Sequence, residues 1–429
     1  MHRKVPTLNT HRRRIAVVGA GISGLSAAWV LQRAADVTLY EADDRLGGHA
    51  HTHDVARPTG APIAVDSGFI VHNERTYPTL LRLFAALGVA TAPSDMSMSV
   101  HCEGCGLEYA GARGLRGLFP TAENLRRPAY LRMLTEVPRF HRAARALLRT
   151  PPGPTEPTLG QFVSTQGYSD YFVAHFLVPV VAAVWSCGPG TAMQYPARYL
   201  FRFLDHHGML AVTGSPAWRT VVGGSRTYVQ AVAKDLTAVH TATPVRAVTR
   251  TASGVAIRDD GDGLAQFDAV VVATHSNQAL ALLGEPTATE TAVLGAIPYS
   301  VNHTVLHTDQ APMPRAVRAR ASWNYRLRSC AGAGDAVLVT YDMKRLQSLP
   351  GPTPYLVSLN DPEVDPDRVI ARMVYEHPIY TPESVAAQAR LPELDDDRVV
   401  FAGAYHGWGF HEDGAASGVR AAARLGVAW

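Results

Sequence analysis

Short, mostly apolar runs alternate along this chain with longer segments whose apolar residues recur at helical spacing. Residues 15–18, 37–40 and 269–274 are runs of the first kind, the pattern of strands buried on both faces of a parallel sheet. A segment rich in small residues separates the first two and reads as a helix. Residues 76–87 carry Leu80, Leu81, Leu83, Phe84 and Leu87 at helical spacing, and Gly88 stops that helix. After Pro93 the character changes. Residues 96–110 alternate like an edge strand, and 121–150 read as amphipathic helix interrupted by Pro128 and Pro138. Pro151-Pro152-Gly153-Pro154 is a linker, and residues 160–210 are helix-rich and aromatic. From Trp218 the first pattern returns: Gly223-Gly224-Ser225 opens a helix, residues 243–248 form a strand, and a hairpin turns through Asp259 to Gly263. Residues 286–394 mix strands with Pro-rich loops, and residues 399–403 lead into a last small-residue helix. This order predicts an α/β fold with a doubly wound, Rossmann-like nucleotide lobe drawn from 12–95, 215–285 and 395–429. The rest, 96–214 and 286–394, is expected to form a substrate lobe of mixed sheet and helices.

Chemistry enters at the end of the first apolar run. Gly19-x-Gly21-x-x-Gly24 joins it to the small-residue helix, and Glu41 closes the second run 17 residues after Gly24. Gly19 permits a tight turn, Gly21 lets backbone approach a pyrophosphate, and Gly24 lets helix and strand lie close. The helix N-terminus offers free N–H groups and partial positive charge to phosphates, and the acid can bind ribose hydroxyls. Strand, turn, helix, strand and acid together predict a bound dinucleotide.

Composition narrows the setting. A chain of 429 residues with 47% hydrophobic and 18% charged residues is a globular protein of two lobes, and a net charge of +3 gives no reason to expect nucleic acid. Four cysteines make no disulfide framework, so a reducing, cytoplasmic setting is expected. The longest apolar stretch, residues 176–185, contains Pro179 and is too short to span a bilayer. Residues 1–14 are basic, but Arg12-Arg13-Arg14 runs straight into the nucleotide strand and is not read as an export signal. No metal site is expected. His49-x-His51-x-His53 would project three imidazoles to one side of a strand, but His49 follows a glycine pair with another use, and Cys102-x-x-Cys105 reads as a loop with two free thiols.

The second glycine cluster makes a family resemblance specific. Glu41-x-x-x-Arg45-x-Gly47-Gly48, followed by Asp66-x-Gly68, resembles the FAD-binding start of the flavin-containing amine oxidase superfamily. The resemblance implies tightly but non-covalently held FAD, with contacts from Gly19, Gly21, Ser23, Gly24, Glu41, Ala42 and Arg45. It implies further contacts from Gly47, Gly48, His49, Gly68 and Phe69, where a second bare backbone passes the pyrophosphate and ribityl chain. The position matching Val245 meets adenine through its backbone, and the strand ending at Ala273 and Thr274 runs beneath the cofactor. Gly403 and the following Phe410-His411-Glu412-Asp413-Gly414-Ala415 resemble the superfamily's closing flavin motif, in which a helix N-terminus faces the flavin. Glu412 and Asp413 compete for its acid position, and Asp413 is also a good N-cap. The strings at residues 40–55, 65–80, 93–100, 321–325 (with Trp323-Asn324-Tyr325) and 403–418 are similar to a bacterial subgroup of NAD/FAD-binding oxidoreductases associated with fatty-acid methyl- or cyclopropane-forming methyltransferases. That likeness implies lipid modification: a hydrophobic or acyl-lipid substrate, transient contact with a membrane surface, and a methyltransferase partner.

Tyr405, Trp408 and His411 precede the closing helix and are candidates to border the flavin, although Tyr and Trp are equally common core residues. His72 is a second candidate base behind His411, and each could equally be a hydrogen-bonded structural histidine. Lys344 is the one lysine in the substrate lobe, and its surroundings do not match the flavin-side lysine of amine oxidases. The expectation is therefore hydride abstraction from an acyl chain, with amine oxidation, double-bond isomerisation and non-catalytic flavin binding as alternatives.

Overall fold

A computed structural model describes residues 12–57, 60–153, 156–211, 214–331 and 336–429. Pro154 of the proline linker and most of the basic N-terminal segment lie outside these. The central feature is a five-stranded parallel sheet in the order Ala238–His240, Ala35–Tyr40, Arg13–Val18, Ala269–Val272, Val399–Phe401. Arg13–Val18 pairs with Ala35–Tyr40 on one side and Ala269–Val272 on the other. Its two neighbours thus lead the chain in opposite directions, and the crevice at its carboxyl end is the switch point where doubly wound sheets bind ligands.

The apolar run is buried on both faces, as its unbroken pattern requires. Ile15 and Val17 join a core with the helices Ile22–Leu31 and His411–Arg424, while Ala16 and Val18 join one with a three-stranded antiparallel sheet of residues 245–267. The two helices approach at glycines: a Cβ on Gly418 would stand 2.1 Å from the Ser23 carbonyl oxygen. Arg12 and Arg13 are tied into this architecture, with Arg12 donating to the Gln32 and Ala35 carbonyls and Arg13 to that of Leu425.

The second layer is a seven-stranded sheet in the order Val369–Pro378, Tyr299–His307, Leu356–Leu359, Val339–Asp342, Trp323–Leu327, Met98–Cys102, Leu107–Ala110. Its pairs are antiparallel except Trp323–Leu327 with Met98–Cys102. Helices between residues 128 and 206 cover it, sharing a core of Tyr130, Phe140, Phe172, Tyr195 and Phe201. Of the two expected interruptions, Pro128 marks one, between the 3-10 turn Ala122–Arg126 and the helix that follows, whereas Pro138 does not break its helix. Pro128 begins Pro128–Arg149, where its missing N–H costs nothing, and Pro138 lies inside it on an exposed side where a released carbonyl can bond water. Among the described residues no helix is long and apolar enough to cross a membrane.

Candidate active site

The crevice is lined by bare backbone. Gly19 leaves the first strand at φ +99° and donates to the Tyr40 carbonyl at 2.8 Å, and a Cβ there would stand 2.8 Å from the Ala273 carbonyl oxygen. Thr274 follows Ala273, so this turn and the end of Ala269–Val272 are in contact. Gly21 is the N-cap of Ile22–Leu31 and offers no side-chain cap, so the first amides of that helix are left for a ligand. A Cβ on Gly21 would meet no atom within 4 Å. Across from it, the Gly47 amide donates to the Ala20 carbonyl at 2.9 Å, and a Cβ on Gly48 would stand 3.2 Å from Gly21 Cα.

Glu41 shapes one end of the crevice. It accepts from the Ala20 amide at 2.7 Å and from the Asp43 amide, across Ala42, at 3.0 Å. The Thr243 amide donates to the Glu41 carbonyl at 2.9 Å, which brings the strand beginning at Val245 alongside. Arg45 Nη1 is buried with no hydrogen-bond partner, and so is His49 Nε2. An unpaired buried guanidinium nitrogen beside two bare glycine turns fits a pyrophosphate.

The closing motif uses its two acids differently. Asp413 accepts from the Phe410 amide at 2.9 Å and caps its own helix, and desolvation pushes its carboxyl up to about 7. Glu412 turns away and accepts from the Thr79 and Leu80 amides, both at 2.9 Å, capping Pro78–Leu87. The sequence ambiguity between them is an ambiguity of spacing only, because each acid serves a different helix. Gly403 donates to Ser417 at 2.9 Å, and Ala415 is buried against the opening helix. A Cβ on Gly414 would press on Ser23 Oγ at 3.0 Å.

The candidate bases sit in apolar company. His411 stacks on Phe69 with centroids 3.8 Å apart, and its Nε2 meets the Tyr228 hydroxyl at 2.8 Å. Phe69 itself follows Gly68, whose Cβ would strike the His49 carbonyl oxygen at 2.1 Å. His72 is fully buried against Phe84 with neither ring nitrogen bonded. Burial pushes His72 down to about 4 and His411 to about 3, so both rings are neutral at pH 7. Tyr405 lies in the core beneath the sheet with Val270 and Phe401. Trp408 belongs to an aromatic wall with Tyr199 and Phe203, and its carbonyl accepts from Trp185 at 3.0 Å. Of the Trp323-Asn324-Tyr325 string, Asn324 is spent on Ser99, Ala321 and Thr340.

The fold gathers further residues that sequence reading missed. His49 lies 5.9, 5.0 and 5.3 Å from the rings of His275, Tyr375 and His377. Tyr375 and His377 share one face of Val369–Pro378 because strand side chains alternate, and that spacing is the only signal the sequence carried. The Tyr375 hydroxyl meets Ser67 at 2.7 Å and His51 at 3.1 Å, and His53 meets Ser67 at 2.8 Å. His275 stacks on Tyr299 at 4.6 Å and contacts Glu376 at 3.2 Å. The expected row of three imidazoles is therefore split. Strand Thr52–Val55 begins after His51, so His49 leaves the alternation and faces His275 and His377. Burial and mutual repulsion push His49 well down and His377 to about 4, so both of these rings are neutral.

The sequence profile described as flavin containing amine oxidoreductase matches residues 22–426. The chain belongs to this family. Members are FAD-dependent oxidoreductases, and the glycine cradle, the unpartnered Arg45 Nη1 and the uncapped helix start fit that cofactor. Among curated relatives, the chain is 52% identical over 46 residues to a tryptophan 2-monooxygenase of Allorhizobium ampelinum, covering 10% of this chain and 6% of that protein. It is 38% identical over 84 residues to polyamine oxidase 5 of Oryza sativa subsp. japonica, covering 19% and 16%. The chain thus matches only short stretches of these relatives' length. Among solved structures, a putrescine oxidase redesigned in its cofactor binding superposes with TM-score 0.69 at 16% identity, covering 96% of this chain and 98% of the other. A fatty acid isomerase from P. acnes, described as CLA-producing, gives TM-score 0.68 at 15% identity, covering 97% and 100%. At these identities the likeness is one of fold.

In this flavoprotein family the bound FAD supplies a hydride-accepting ring. The two glycine turns and the uncapped helix start would hold the dinucleotide, and the imidazoles His72 and His411 are neutral. His49 Nε2, buried and unpartnered, would be available to hydrogen-bond a group bound there.

Proposed function

We propose that this member of the family is an FAD-dependent oxidoreductase that takes a hydride onto the flavin from an uncharged, apolar substrate, a lipid acyl chain, with the accompanying proton released to solvent, leaving the chain desaturated or otherwise oxidised. The observation that supports this reading is that the carboxylates beside the crevice are each engaged by protein groups. Asp413 and Glu412 are both committed as helix caps, and Glu376 is engaged by His275. Lys344 sits in the short helix Met343–Leu346 rather than in a setting typical of a flavin-side lysine. A surface patch supports the lipid assignment: Leu115 and Val317 are 76% and 68% exposed, amid Arg113, Arg116 and Arg318. Apolar tips among guanidinium groups suit transient contact with an anionic bilayer.

The test is an anaerobic absorbance titration of the FAD-loaded protein with acyl lipids and with simple amines. Bleaching by an acyl lipid is the expected result. Bleaching by amines with peroxide release on admitting oxygen would replace this reading with amine oxidation. Isomerisation is the second reading, favoured by the full-length fold match to a fatty acid isomerase; a product of unchanged mass would establish it. Flavin that no substrate bleaches, in protein that co-purifies with a fatty-acid methyltransferase, would mean a binding partner rather than an enzyme.

A further inference from the structure

The seven-stranded sheet carries a cluster with no part in flavin chemistry. The Met98–Cys102 and Leu107–Ala110 hairpin turns through Cys102-Glu103-Gly104-Cys105-Gly106. The Gly106 amide donates to the Cys102 carbonyl at 2.8 Å, and Gly106 holds φ +68°, a knuckle that directs both sulfurs to one side. Cys102 is paired in register with Leu327, and the Glu103 amide donates to the Leu327 carbonyl at 2.8 Å. The chain leaving that strand then crosses directly over the knuckle. A Cβ on Gly104 would stand 3.0 Å from Ser329 Cα and 3.1 Å from the Cys330 nitrogen. Cys330 is thereby brought to Cys102, sulfur to sulfur at 3.7 Å.

The fourth group comes from the helical layer. His175 lies in a π-helical turn, Val173–Leu177, and is fully buried. Such turns recur at functional sites because they redirect one side chain out of helical register. Its Nδ1 lies 3.1 Å from the Tyr171 carbonyl, which can only accept, so Nδ1 carries the proton and Nε2 presents a lone pair. That Nε2 is 3.6 Å from Cys105 Sγ. Stacking on Tyr171 at 3.9 Å and a 2.7 Å bond from the Tyr109 hydroxyl to the His175 carbonyl fix the ring further.

We propose that Cys102, Cys105, His175 and Cys330 form a tetrahedral zinc site. The four donor atoms lie within 4.8 Å of one another. Zinc bonds of about 2.3 Å to sulfur and about 2.05 Å to nitrogen, at tetrahedral angles, separate two sulfurs by about 3.8 Å and sulfur from nitrogen by about 3.6 Å. The observed 3.7 and 3.6 Å are those edges. A disulfide requires sulfurs about 2.05 Å apart and would leave the remaining thiol and the oriented imidazole without a purpose. Three thiols lose their protons on binding, giving a complex of charge −1 with neutral histidine. Arg127 donates to the Cys105 carbonyl and, at 3.4 Å, to that of Gly106, placing a cation beside it. All four positions are protein ligands, so the site is structural: it staples the knuckle, the 327–330 crossover and the helical layer together.

The test is metal analysis of the full-length protein purified without added metal, read alongside its flavin content. The expected result is one zinc per chain, released by a mercurial thiol reagent, and replaceable by cobalt with the visible bands of a tetrahedral thiolate complex. Cys330→Ser, at the exposed ligand, should lose the zinc while keeping its flavin, whereas Cys187→Ser should keep both. Four free thiols with no bound metal and no uptake of added zinc or cobalt would overturn the proposal, as would a disulfide among the three cysteines in the native protein. If Cys330→Ser fails to fold, the wild-type stoichiometry and cobalt spectrum still decide the matter.

Discussion

Two alanine substitutions one helical turn apart should have opposite consequences. Gly21 has extended backbone, φ −69° and ψ 177°, which any residue adopts, and its missing Cβ would meet nothing within 4 Å. Gly21→Ala should therefore cost the apoprotein only the difference between glycine and alanine at an N-cap, about 1 kcal/mol, or at most about 3 °C in melting temperature. If the open space is where the pyrophosphate lies, the methyl group overfills it at a cost of about 1–3 kcal/mol, weakening FAD about 5- to 150-fold. At Gly24 the order reverses. A Cβ would stand 1.9 Å from the Gly19 carbonyl oxygen and 3.3 Å from Ala273 Cβ, so Gly24→Ala must displace backbone and should cost about 3 kcal/mol or more even without cofactor. Calorimetric titration of each apoprotein with FAD, paired with thermal melts, separates the two effects. A Gly21→Ala protein that binds FAD as tightly as wild type would refute the steric reasoning.

Stability should fall in acid through the buried imidazoles. Burial holds His72, His141, His207 and His377 at about 4, and His51, His406 and His411 at about 3, against an ordinary 6.5. Below pH 6.5 the unfolded chain takes up protons that the folded chain refuses, so stability present above 6.5 is lost as pH falls toward those values. Asp66 at about 6 and Asp413 at about 7 oppose this, as do the raised carboxyls of Asp342, Asp395 and Glu412, because their folded forms bind protons more tightly than the unfolded chain, but the lowered histidines outnumber them. A melting temperature that holds steady or climbs between pH 6.5 and 4 would contradict this sum. Glu412→Ala removes the acceptor of the Thr79 and Leu80 amides and should cost about 1–2 kcal/mol in urea unfolding, with Glu412→Gln between the two. Asp66→Ala should cost about 3 kcal/mol or more, since it orphans Ser225, Thr52 and Gln347 donors in the interior; an unfolding midpoint like wild type would show the network to be dispensable.

The nucleotide crevice was legible because its determinants are local. Gly19, Gly21, Gly24 and Glu41 fall within one strand-turn-helix-strand unit, and Gly47-Gly48 follows directly, so spacing alone carried the geometry. His275, Tyr375 and His377 were not legible, because they meet His49 only when Val369–Pro378 and the segment after Ala269–Val272 converge. Glu412 could not be assigned from spacing, since its partners Thr79 and Leu80 lie over 300 positions away. The Pro138 break failed because an exposed helix face supplies solvent to the carbonyl that proline releases. Cys102-x-x-Cys105 reads in the sequence as a loop with two free thiols because the groups that join it, His175 and Cys330, come from a π turn and a crossover loop.

The cofactor assignment underlies everything else, and it is tested by the visible spectrum and extracted flavin of the protein as purified. The account predicts a yellow protein that releases one unmodified FAD per chain on denaturation. Protein that is colourless, and remains so after incubation with FAD and gel filtration, would contradict it.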